Sequence, residues 1–136
     1  MKFLVDTNVL SELRKGPRAN PRVLGWFQSV DDAALYLSVL VIGELRQGVE
    51  RLRRRDPPAA AKLDRWLYEL IERHSDRTLP VDAAVAERWG RLNVPDPIPA
   101  VDGLLAATAL VHSLTLVTRN LRDVRSTGVR HLDPFA

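Results

Sequence analysis

Four carboxylates and one amide stand where they could do chemistry. Asp6 follows the apolar run Phe3–Val5, and Asn120 and Asp123 follow the apolar run LTLVT at 114–118. Glu44 comes after VLVIG, and Asp102 lies within VDGLLAATAL. A carboxylate in an apolar stretch is costly to bury unless it is paired or binds a metal. Each residue also has an ordinary role open to it. Asp6 could cap the next helix, and Asp102 could answer a helix dipole. Glu44 could pair with Arg46 or Arg51, and Asn120 and Asp123 could shape a turn. The joint pattern is what points to a site, because one fold would bring these acids together.

Convergent carboxylates without a cysteine or a histidine cluster suit a hard divalent cation. Acidic Mg²⁺ or Mn²⁺ sites cleave phosphodiesters by positioning an attacking water and neutralising charge on the scissile phosphate. The chemistry expected is therefore that of a metal-dependent nuclease. Acids gathered in one pocket repel one another, so some of their pKa values should be raised until a cation arrives. His74, His112 and His131 are scattered and form no ligand pair; His112 and His131 are read as structural or surface residues.

The elements that must position these groups are short. The spacing predicts strands at Phe3–Val5, Leu35–Val39, Thr78–Val81, Leu114–Thr118 and Val129–Leu132. Helices are expected over Val9–Arg14, from Asn20-Pro21 onward, over Val39–Arg55, from about Ala59 to His74, from Asp82 to near Leu92, and over Val101–Ser113. Asp56-Pro57-Pro58 reads as a helix break, Asn93–Pro99 as a loop, and Asn120–Asp123 as the start of a turn. Alternation of short apolar strands with helices argues for α/β with a mostly parallel sheet. In such sheets ligands bind beyond the carboxyl ends of the strands, where Asp6, Asn120 and Asp123 fall, as does Ser38 after LYL.

At 136 residues the chain is expected to be one domain, 1–136. It contains no cysteine, which excludes disulfide frameworks, thiolate zinc sites and cysteine nucleophiles. No apolar run approaches the roughly 18 residues of a membrane span, and the N-terminus lacks a signal-peptide core, so a cytoplasmic location is expected. The net charge is +3, but Arg46–Arg55 alone holds five Arg and one Glu. Arg46, Arg51, Arg54 and Arg55 could contact an RNA backbone or a protein partner, or form a solvated helix face. The helix pair around 45–72, with Trp66 and several leucines, could offer a groove to a partner helix.

The blocks FLVDTNVLSEL, LSVLVIGELRQGV, DGLLAATAL and LVTRNLRD resemble, in order, the signature blocks of PIN-domain ribonucleases. They resemble most the VapC-type toxins of bacterial VapBC toxin–antitoxin systems. The resemblance runs from residue 3 to residue 123. It implies a three-layer α/β/α, flavodoxin-like fold and an Mg²⁺-dependent endoribonuclease, with Mn²⁺ as an alternative ion. Asp6, Glu44 and Asp102 match the family's acidic metal positions. Asn120 stands where the family usually has its fourth acid, and Asp123 matches a second acid of that turn. Thr7 and Thr118 match small hydroxyl positions near the metal. The implied partners are an RNA substrate, a cognate VapB-type antitoxin and a second copy of the chain. An alternative is a PIN-fold protein that binds RNA or a partner with weak or no cleavage. An aspartyl-nucleophile phosphatase would need an acid at position 8, which is Asn. A receiver-type domain would need acids before the first strand and a Lys where Arg119 stands.

Overall fold

The computed structural model describes residues 1–136. Five parallel strands form one sheet: β1 (Phe3–Val5), β2 (Leu35–Ser38), β3 (Thr78–Leu79), β4 (Thr115–Val117) and β5 (His131–Leu132). Their spatial order is β3-β2-β1-β4-β5. Seven helices flank the sheet in an α/β/α arrangement: α1 (Thr7–Leu13), α2 (Pro21–Ser29), α3 (Val39–Arg53), α4 (Pro57–Arg73), α5 (Ala83–Leu92), α6 (Ala100–Val111) and α7 (Leu121–Val124).

β1 is central, with Leu4 opposite Tyr36 on one side and Leu116 on the other. Leu4, Val5, Leu37, Leu116 and Val117 are fully buried, as strands covered on both faces require. The core continues into Val41, Leu45 and Val49 of α3, Leu67 of α4, and Leu105, Ala106 and Ala109 of α6.

Side-chain caps start most helices. Asn20 accepts from the Arg22 N–H at 2.8 Å, Ser38 from Leu40 at 3.1 Å, and Asp82 from Val85 at 3.0 Å. Asp56 accepts from the Ala59 N–H at 3.2 Å, with Pro57 at the first helical position. The Asp-Pro-Pro run therefore starts α4 as well as ending α3, because proline at that position gives up no helical hydrogen bond. Two further boundaries differ from the sequence expectation. Helix α1 begins at Thr7, two residues early, because Asp6 caps it. The segment after Asn120 is one turn of helix rather than an open turn. The edge strands are only two residues long: Pro80 has no N–H to extend β3, and Gly128, at φ 76°, turns the chain just before β5.

Candidate active site

The acidic residues gather beyond the carboxyl ends of β1, β2 and β4. Asp6 is the innermost, 5% exposed. Its Oδ1 accepts from the Thr7 N–H at 2.7 Å and its Oδ2 from the Thr118 hydroxyl at 2.7 Å. The first bond is the helix cap considered from sequence. The second reaches across 112 residues to the end of β4. The helix cap thus leaves Oδ1 of the same carboxylate with a second lone pair.

Thr7 reaches outward from the same turn. Its hydroxyl donates to Glu44 Oε1 at 2.6 Å, which ties α1 to α3. Glu44 therefore does not pair with Arg46 or Arg51. It faces the acidic cluster from one turn above the Ser38 cap of α3.

Asp102 enters from the first turn of α6, whose cap residue Pro99 offers no side-chain bond. A helix N-terminus favours the ionised acid. The opposite tendency wins here, because the Asp102 carboxyl is pushed up to about 6. Burial is the largest cause, the charges of Asp6 and Asp123 add to it, and the Asn120 side chain opposes it. The Asp6 carboxyl is also raised, chiefly by burial and slightly by Glu44, against the hydrogen bonds from Thr118 and Thr7. The rise expected of crowded acids is present at these two positions, although burial contributes more than repulsion.

Asp102 is placed by close helix packing. A side chain at the adjacent Gly103 would put its Cβ 3.2 Å from the Trp89 ring of α5. A residue without a Cβ lets α5 lie against the first turn of α6.

The turn after β4 completes the site. The Asn120 N–H donates to the Thr118 hydroxyl oxygen at 3.0 Å. Asn8 clasps both halves. Its Oδ1 accepts from the Arg119 N–H at 3.2 Å, and its Nδ2 lies 3.4 Å from both Asp6 Oδ2 and Thr118 Oγ1. The only signal in the sequence was a polar residue two places after the buried acid.

Oxygen donors alone line this centre, which suits a hard cation such as Mg²⁺ or Mn²⁺. The carboxylates most able to hold one are those of Asp6 and Asp102, with Glu44 and Asp123 around them. No three acidic or histidine side chains stand as a closed ligand cage.

The PIN domain family profile matches residues 3–127. The chain belongs to the PIN-domain family. This PIN domain is 34% identical to the Toxin FitB of Neisseria gonorrhoeae, over 98% of each chain. It is 28% identical to a VapC ribonuclease of Sinorhizobium fredii, over 98% of this chain and 97% of that one. The crystal structure of FitAcB from Neisseria gonorrhoeae superposes with a TM-score of 0.90 at 33% identity, covering 98% of both chains.

The basic stretch of this PIN domain is not one free patch. Arg46 binds Asp64 at 2.9 Å and Glu50 at 3.4 Å, and Arg53 binds Asp64 at 2.9 Å and Glu50 at 3.2 Å. The two pairs to Asp64 join α3 to α4. Arg51, Arg54 and Arg55 are exposed at the end of α3. Trp66 lines an apolar pocket of about 200 Å³, but with Leu10, Leu13, Leu24 and Phe27 of α1 and α2. The pocket therefore lies between α4 and those two helices, whereas α3 and α4 pack directly on each other, with Leu45, Val49 and Leu67 in the core. His74 is buried with Nδ1 3.0 Å from the Leu70 carbonyl. No helix is long and apolar enough to cross a membrane.

Proposed function

We propose that the chain is a divalent-metal-dependent endoribonuclease and the toxin of a type II toxin–antitoxin pair. The observation that carries this is the hydrogen-bonded chain Glu44–Thr7–Asp6–Thr118–Asn120, joined electrostatically to Asp102 and Asp123. Asp6, Asp102 and Glu44 would hold the cation, with Asp123 and Asn120 completing the set. When bound, an Mg²⁺ or Mn²⁺ ion would neutralise charge on the scissile phosphate and supply an acidic water as nucleophile.

The chain's own residues do the rest. Thr118 and the Thr7 N–H fix the Asp6 carboxylate so that its remaining lone pairs keep one direction. Thr7 fixes Glu44 through its hydroxyl. Burial keeps bulk water from screening these charges. The raised Asp102 carboxyl gives up its proton at neutral pH and holds it in mild acid, so cation binding should weaken as pH falls through about 6.

Relatives named as a toxin and as a ribonuclease support the role. A relative named as a toxin implies a partner protein that restrains it. We propose that the pocket between α1, α2 and α4 receives an apolar segment of that partner, and that the chain pairs with a second copy. An RNA-cleavage assay with and without Mg²⁺ tests the activity. Wild type should cut only with the ion, and Asp6→Asn should not cut. Equal activity in both proteins would remove the nuclease assignment.

A further inference from the structure

We propose that Arg119 and Arg122 grip the RNA phosphates on either side of the scissile one, and that the cleft beside Asp123 receives the adjoining nucleotide. This rests on the nuclease function proposed above.

The two arginines belong to the turn that carries Asn120 and Asp123, and both are exposed. None of the chain's ion pairs includes either of them. The Arg119 N–H is held by Asn8 at 3.2 Å, and its guanidinium lies over the Phe135 ring, 4.5 Å from the centroid. Phe135 is itself fixed by its N–H donating to Asp133 at 2.9 Å. A cation over an aromatic face keeps its N–H edge free for an oxyanion.

Arg122 has different surroundings. It lines a cleft of about 240 Å³ with Asp123, Ser126 and the loop Val94–Pro99. Asn93 pins that loop at both ends: its Nδ2 donates to the Trp89 carbonyl at 2.8 Å and its Oδ1 accepts from the Ile98 N–H at 2.9 Å. Three prolines stiffen what lies between, and Val94 is 75% exposed at its rim. The cleft is therefore preformed: prolines and Val94 form one side, and Arg122, Ser126, Asp96 and Asp123 supply a cation, a hydroxyl and two carboxylates.

Electrostatics requires such groups. An RNA strand that reaches Asp6 and Asp102 brings anionic phosphates toward four carboxylates. A divalent cation offsets charge at the centre only. The flanking phosphates need cations of their own, held beside the acids yet not neutralised by them. Arg46 and Arg53 are already neutralised by Asp64 and Glu50, whereas Arg119 and Arg122 form no ion pair, and Arg119 meets Glu12 only at longer range.

The test uses the full chain carrying Asp6→Asn, which binds without cutting, and a fluorescein-labelled single-stranded RNA oligonucleotide followed by anisotropy across a KCl series. Arg119→Ala and Arg122→Ala should each weaken binding at least about fivefold and lower the salt slope by about 0.7, the value for one phosphate contact on a single strand. Arg119→Lys and Arg122→Lys should keep the slope. Phe135→Leu should weaken binding about twofold at unchanged slope, because it frees the guanidinium without removing its charge. Arg54→Ala and Arg55→Ala should leave both quantities unchanged. Unaltered affinity and slope in both the Arg119 and Arg122 alanine variants overturn the proposal, as does an equal loss at Arg54 or Arg55. Wild-type cleavage of the same RNA with Mg²⁺ is measured alongside. Cleavage with arginine-independent binding removes this proposal alone. Arginine-dependent binding without cleavage removes the nuclease function alone. No binding at all removes both.

Discussion

At the α3–α4 hairpin, Arg46 and Arg53 share Asp64 and Glu50, and each charge has its partner within one or two helical turns or on the facing helix. At the turn after β4, Arg119 and Arg122 stand beside Asp6, Asp102 and Asp123 and pair with none of them. The hairpin is the denser in charge along the sequence, and the turn is the denser in unmet charge. The hairpin's charges satisfy one another, so they hold two helices together on an exposed surface, where ion pairs contribute little. The acids beside the turn lie in a desolvated place, where burial first and neighbouring charge second raise the Asp6 and Asp102 carboxyls. Under the proposed function, unmet charge rather than charge density marks the binding place.

The sharpest way to break this comparison is to remove an acid from each region. Asp6→Asn should lower RNA cleavage at least about 100-fold, whereas Asp64→Asn should leave it within about twofold. A matched loss in both, measured as initial cleavage rates at saturating Mg²⁺, would end the distinction. Thr118→Val comes next. It removes the hydroxyl that orients Asp6 and should cost about 10–100-fold in metal affinity or rate. Serine at 118 should recover most of this, and Mg²⁺ titration separates affinity from rate.

The two regions should also differ with pH. Asp102 and Asp6 have folded-state pKa values above their unfolded ones, so between about pH 4 and 6 the native state binds more protons. This contribution makes the metal-free protein lose stability as pH rises through that window. With a chelator present, the melting temperature of wild type should fall more from pH 4 to pH 7 than that of Asp102→Asn. In the same window Mg²⁺ should restore more stability at pH 7 than at pH 5, since only ionised acids hold it. The Asp64 pair behaves oppositely. Arg46 and Arg53 hold the Asp64 carboxyl below its usual range, so that contribution fades only in stronger acid.

The smallest effect expected concerns packing. Gly103→Ala places a methyl 3.2 Å from the Trp89 ring, so Trp89 must shift or Asp102 must. Cleavage should fall several-fold with only a modest loss of melting temperature. An unchanged rate would show that the first turn of α6 has slack.

Much of this protein was legible in the residues. Phe3–Val5, LYLS and LTLVT were legible as strands, because short apolar runs bounded by turn and capping residues suit a buried parallel sheet better than a helix of usual length. Asn20-Pro21 and Asp82 had to begin helices, since their side chains meet N–H groups two or three residues on. Those contacts are local, and local chemistry decides them. The acids after the strands were legible as a group because a parallel sheet brings its strand ends to one edge.

The sequence left other things undetermined, and each of them joins residues far apart in the chain. Nothing near Asp6 announces that Thr118 will bind it, or that Asn8 will reach the Arg119 N–H. The pairing of Arg46 and Arg53 with Asp64 needed the crossing of α3 and α4, so the basic run looked free when two of its members were not. Trp66 looked like one wall of an α3–α4 groove until α1 and α2 supplied the facing side chains. Hydrogen-bond geometry and desolvation depend on which segments meet. Only the tertiary structure, by bringing the ends of β1 and β4 side by side, decided which charges would be satisfied and which would be left for a ligand.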